Sequence, residues 1–165
     1  MKRVILLFIL LSSQTSFAQT LNLLFPEVHY AASRLMTVDE NTFTITGGSR
    51  WIANRLVIAV NMSEVIIVVD DLNISGVAYF NGFEMNVRHG GGEFFYNTGK
   101  FTSVIDIDTA RSYIMLADSS LWKVASESRE TVSNWLPPFN IILTESETAV
   151  INLHRLESAV IRKLK

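Results

Sequence analysis

A chain of 165 residues with no cysteine, and with 14 basic against 16 acidic side chains, is bounded before any motif is read. Without thiols it has no disulfide framework, no thiol nucleophile and no thiolate-ligated metal. Its weakly acidic balance lacks the clustered positive charge that holds nucleic acid or an anionic bilayer. A protein or glycan remains as partner, and no cofactor is indicated.

Taken in chain order, the sequence opens with Met1-Lys2-Arg3, an apolar run from Val4 to Leu11, and Ser16-Phe17-Ala18. A basic start, a short apolar run and a small-x-small ending predict a secretory signal peptide over residues 1–18, cleaved after Ala18. Eight apolar residues fall well short of the roughly 20 that a spanning helix needs, so no integral membrane segment is expected in the mature chain. The expected product is periplasmic or secreted and runs from Gln19 to Lys165. At 147 residues it is one domain with room for a real core.

Next, Pro26 to Leu35 places Val28, Ala31, Ala32 and Leu35 at helical spacing, with proline at a plausible first position. Beyond it the apolar residues come in short β-rich runs, broken by Asn, Asp, Gly and Ser. They are Phe43–Ile45, Leu56–Val60, Val65–Val69, Val77–Phe80, Val104–Ile105, Tyr113–Leu116, Asn140–Leu143 and Ala149–Leu153. Such spacing predicts an all-β fold with a minor helical part, a barrel or a sandwich. The sharpest local expectation is a hairpin at Asn81-Gly82, with a type I′ turn pairing Phe80 with Phe83 and Ala78 with Met85. Ser126 to Leu136 reads as a short helix carrying Val132, Trp135 and Leu136, stopped by Pro137-Pro138. The C-terminal residues from Leu153 fit either state, and the repeat described next favours a strand.

Phe43 to Ile52, the apolar run at Val65 and Ala78 to Arg88 have counterparts in Ile114 to Lys123, the apolar run at Ile141 and Val150 to Arg162. Trp51 and Trp122 lie 71 positions apart, as do Asn81 and Asn152. A period near 70 suits a duplicated half-barrel or half-sandwich, with pseudo-repeats at about 43–88 and 113–162 and the two tryptophans as equivalent core anchors. Asp118-Ser119-Ser120-Leu121-Trp122 and Trp135-Leu136-Pro137-Pro138-Phe139-Asn140-Ile141-Ile142 resemble a pattern of uncharacterised exported bacterial β-domain proteins. There it runs Asp-Gly-Ser-x-Trp, then Trp-x-x-Gly-Asp-x-Ile. Ser119 stands where that pattern has Gly, and Pro138-Phe139 where it has Gly-Asp. The resemblance covers the last third of the chain and implies a fold, not an activity.

Few residues invite chemistry. Arg88-His89-Gly90-Gly91-Gly92 is spelled like an esterase oxyanion loop, but no Gly-x-Ser-x-Gly elbow accompanies it. Three glycines at the end of the first half read instead as a joint between two copies. His29, His89 and His154 show no chelating spacing, so no metal ligands are assigned. Asp106 and Asp108 would share a strand face as paired carboxylates or calcium ligands, and Asp70-Asp71 could form a calcium loop. Phe94-Phe95-Tyr96 would be a partner-binding edge if one side of it is exposed. The resulting expectation is a non-enzymatic binding or envelope-structural module, with Phe94, Phe95, Tyr96, Asp106 and Asp108 as candidate binding residues. The alternatives are a small hydrolase-like or metal-dependent enzyme using Asp106, Asp108 and His89, and a small outer-membrane barrel.

Overall fold

The structure, a computed structural model, describes residues 27–69 and 75–164. The expected signal peptide and the expected calcium loop at Asp70-Asp71 lie outside them. Among the described residues twelve strands form one continuous antiparallel sheet. They are β1 (Glu27–Asp39), β2 (Thr42–Ile45), β3 (Arg50–Ala53), β4 (Glu64–Val69), β5 (Ser75–Phe80) and β6 (Phe83–Gly91), then β7 (Asn97–Asp108), β8 (Tyr113–Leu116), β9 (Leu121–Val124), β10 (Phe139–Thr144), β11 (Ala149–Asn152) and β12 (Glu157–Lys163). A 3-10 turn (Ser126–Ser128) leads into one short helix, α1 (Arg129–Ser133).

The first six strands close on themselves in the order β1-β2-β3-β6-β5-β4, because β4 returns to pair with β1. The last six do the same in the order β7-β8-β9-β12-β11-β10, with β10 against β7. Two barrels of the same strand order are thus joined edge to edge through β1 and β7. That junction pairs Glu27 with Lys100, Val28 with Gly99 and Tyr30 with Asn97. Equivalent ends of equivalent strands run antiparallel there, as a pseudo-twofold relation between the halves requires.

A six-stranded barrel is tightly coiled, and each half bends its long first strand with a bulge. In β1 the register shifts between Leu35 and Thr37, where pairing passes from β4 to β2. In β7 it shifts between Val104 and Asp106, where pairing passes from β10 to β8. This bend overturns the helix expected at Pro26–Leu35. Val28 and Tyr30 face the other barrel while Ala31 and Leu35 face their own. A strand buried on both faces reproduces the spacing of a helical stripe.

Three cores follow. One fills the first barrel around Trp51, Phe43, Leu35 and Ile67. A second fills the other around Trp122, Ile114, Leu116 and Ile141. The third is the seam, where Val28, Tyr30, Ile66, Val68, Val77 and Tyr79 meet Phe101, Ile142 and Leu153. The uninterrupted apolar runs of β4 and β5 are explained by this double burial.

The halves agree in detail. Trp51 Nε1 donates to Ser49 Oγ at 2.9 Å, and Trp122 Nε1 to Ser120 Oγ at 2.8 Å. The Thr46 N–H reaches the Arg34 carbonyl and the Ala117 N–H the Ser103 carbonyl, both at 2.9 Å. The corresponding segments of the two halves extend beyond 43–88 and 113–162, since β1 and β7 correspond as well. The hairpin pairs as expected, Phe80 with Phe83 and Ala78 with Met85. Its turn has positive φ at Gly82 alone, so it is not type I′. By register Asn152 matches Phe80 rather than Asn81, because Val150 and Asn152 face Ala159 and Glu157.

Candidate functional site

The seam is open along its flank. A cleft of about 740 Å³ lies between the barrels, with Phe95, Tyr96, Glu93, Arg34, Glu64 and Leu156 in its walls. A second, about 390 Å³, shares Glu64 and Leu156 with it and adds Ile58, Val60, Phe83 and Arg155. A third, about 430 Å³, shares Phe83 and adds Tyr79, Glu84, Leu136, Pro138 and His154. Together they make an interrupted groove along the line where the two halves meet. Domain junctions of this kind are where ligands most often lodge.

The first cleft owes its walls to the glycine segment. His89 packs edge-on against Trp51 with ring centroids 5.1 Å apart, and Phe94 does so at 5.0 Å. Tyr96 leans on Phe94 at 5.9 Å and meets His29 edge-on at 4.7 Å. An aromatic ladder therefore climbs from the first core to the surface. Phe95, on the other side of the chain, is 65% exposed and Tyr96 43%. Phe94 is half-buried and supports the edge rather than presenting it. Of the three aromatic candidates, two reach the cleft.

The glycines are not a free joint. Gly90 and Gly91 end β6, bulged where Gly91 faces Arg50. Gly92, at φ +83, packs so closely on the β2–β3 turn that a Cβ there would sit 2.4 Å from the Gly48 carbonyl oxygen. His89 occupies the position that Lys163 holds in the other half, each paired with its tryptophan across the sheet. Its role is packing, and the Nε2 of His89 and the Nδ1 of His29 are buried without a hydrogen-bond partner among the described residues.

The carboxylate candidates lie elsewhere. Asp106 is exposed on β7 and Asp108 closes the β7–β8 turn, accepting the Arg111 N–H at 2.9 Å with the Arg111 guanidinium at 3.7 Å. Neither lines the seam clefts. Among the described residues no group of three or more His, Asp or Glu could hold a metal ion, and no helix is long and apolar enough to cross a membrane.

Two features escape a reading of the sequence. Leu56–Val60 alternates in burial like a strand but enters no ladder, its backbone tied to the end of β1 by the Val57 N–H, which donates to the Glu40 carbonyl at 2.9 Å. Val57 plugs the first core, while Leu56, Ile58 and Val60 are 60%, 78% and 75% exposed. Ile58 and Val60 thus project into the middle of the groove. The third cleft is the other surprise. Tyr79 and Glu84 face each other across β5 and β6, and the turn between these strands is tied to the opposite barrel by the Gly82 N–H, which donates to the His154 carbonyl at 3.2 Å. Burial raises the Tyr79 hydroxyl well above its usual range, and the Glu84 charge adds to this. Burial likewise raises the Glu84 carboxyl, with His154 and then Arg55 opposing it.

In comparisons with known proteins, no family model, no curated sequence and no solved structure matches the chain.

Proposed function

We propose that this protein is an exported, non-catalytic binding module, built by duplication of a barrel-forming unit, that holds an apolar polypeptide segment of a partner along the inter-barrel groove. The observation that carries this reading is the gathering of Ile58, Val60, Phe95 and Tyr96, all large and exposed, on the walls of two adjoining clefts. Large apolar side chains left in water at one place mark an interaction surface. Aliphatic side chains outnumber rings in the lining of the two clefts as a whole, which favours protein over glycan, whose sugars stack on aromatic platforms. Arg34, Glu64 and Glu93 ring the larger cleft and enter none of the ion pairs among the described residues, so they are free to orient a charged flank of the partner.

The test is a photo-crosslinking residue placed at Phe95 in the producing cell. It should trap one protein species, and the same residue at Val160, exposed on the second barrel, should not. Ile58→Asp should then weaken binding of that species about 30-fold, as loss of an interface anchor worth about 2 kcal/mol does. Crosslinking that is equally diffuse at both positions sinks the proposal.

A further inference from the structure

The third cleft carries a separate inference. Tyr79 is 3% exposed and its hydroxyl is buried without a hydrogen-bond partner among the described residues. A buried hydroxyl with no partner is a cost that phenylalanine would avoid while filling the same space. The side chain opposite it is the Glu84 carboxylate. Around this polar pair the walls are apolar: Phe83, Leu136 and Pro138 line the cleft, and Leu136 is 82% exposed. His154 completes the rim from the second barrel. A cleft of about 430 Å³ falls within the range of small-molecule sites, which pair apolar walls with a few convergent polar groups.

We propose that this cleft is a binding site for a small uncharged molecule with an amide-type head on an apolar body, the head accepting a hydrogen bond from Tyr79 and donating one to Glu84. The assignment follows from what the cleft offers. The phenol supplies a donor and the carboxylate an acceptor, and a head with one acceptor beside one donor satisfies both. An anionic head is repelled by Glu84. A purely apolar molecule leaves the Tyr79 hydroxyl as unsatisfied as before. The site lies apart from the polypeptide groove's aromatic end, and shares with its middle cleft only Phe83. It stands or falls independently of the groove.

Benzamide is the minimal probe, with toluene, benzoate and benzylamine as its apolar, anionic and cationic counterparts. Titrated into the purified protein and followed by heteronuclear NMR, benzamide should give saturable shifts at Gly82, Phe83 and His154, with a Kd in the millimolar range expected of so small a ligand. Tyr79→Phe, which removes a hydroxyl that bonds to nothing among the described residues, should weaken benzamide about five-fold and leave toluene unchanged. Glu84→Gln, which keeps an acceptor and removes the charge, should keep benzamide and admit benzoate. Absence of saturable shifts at those residues overturns the proposal. So does equal binding of benzamide to the Tyr79→Phe protein, and so does benzoate or benzylamine binding the unmodified protein as well as benzamide does.

Discussion

The two barrels share a strand order and differ in how they are closed at one end. In the second, the connection from β9 to β10 winds through α1 and buries Val132 and Trp135 in the core, with Trp135 Nε1 bonded to Glu157 at 2.7 Å. In the first, the equivalent connection from β3 to β4 carries no helix. It commits Val57 and, in part, Ala59 to the core and leaves Leu56, Ile58 and Val60 in water. One barrel is sealed by its own chain; the other keeps an apolar ridge beside the groove. The same strand order thus carries two different ends, and under the proposed function the open one is the face offered to a partner. The proposed binding role rests on this asymmetry.

The sharpest way to test the shared skeleton is to remove its anchors. Trp51 and Trp122 are 0% and 2% exposed and make the same hydrogen bond. Changing either to alanine should cost about 3–5 kcal/mol, read as a shift in the midpoint of denaturant unfolding. If the halves are energetically equivalent, the two losses will agree within about 1 kcal/mol. A much smaller loss at Trp51 would mean that the aromatic ladder of His89, Phe94 and Tyr96 collapses to fill its place.

A smaller effect separates two glycines of the first barrel that touch one another. At Gly92 a Cβ would meet the Gly48 carbonyl oxygen at 2.4 Å, whereas at Gly48 it would meet nothing within 4 Å. Both have positive φ. Gly48→Ala should cost about 1 kcal/mol from backbone strain alone. Gly92→Ala should cost at least about 2 kcal/mol, since the turn must move as well, and the displacement should reach Phe95 and so weaken partner binding. Equal losses at the two positions would show that the close approach is relieved without cost.

What the sequence made legible follows from where each segment finds its partners. Alternation and Asn81-Gly82 were enough to set the β5–β6 register, because a hairpin is decided by its own residues. The pairing of Trp51 with Trp122 was legible because Ser49 and Ser120 precede them at the same distance. β1 was not legible, since its apolar residues answer to two different cores, and a bulge shifts their phase midway. Leu56–Val60 misled for a different reason: it runs beside β1, tied at Val57 and Met62, yet an apolar run is a strand only where a continuous ladder forms. Of the site, Phe95 and Tyr96 could be singled out by their place beside the glycines. Tyr79, Glu84 and His154 could not, because the packing of one barrel on the other assembles them. The hairpin register that pairs Ala78 with Met85 and Phe80 with Phe83 also sets Tyr79 opposite Glu84, and that was the available signal.

The smallest effect bears on the closest correspondence between the halves. Gly48 and Ser119 hold the same place in their Ser-x-Trp turns, and both are left-handed, at φ 89° and 66°. Glycine takes this conformation freely, while a residue with a Cβ is strained there by about 1–2 kcal/mol. Ser119 is held by its surroundings. The Asp118 carboxylate accepts from the Ser120 N–H at 3.0 Å and from the Ser120 hydroxyl at 2.5 Å, and these bonds hold the carboxyl below its usual range. Ser119→Gly should therefore raise stability, but by only about 0.5–1 kcal/mol, because glycine also loses more chain entropy on folding. The reverse change, Gly48→Ser, should lower it by a similar amount. Equal and opposite shifts in thermal midpoint would establish the two turns as one structural element written twice. A destabilised Ser119→Gly protein would show instead that the Ser119 side chain contributes a contact with no counterpart in the first barrel.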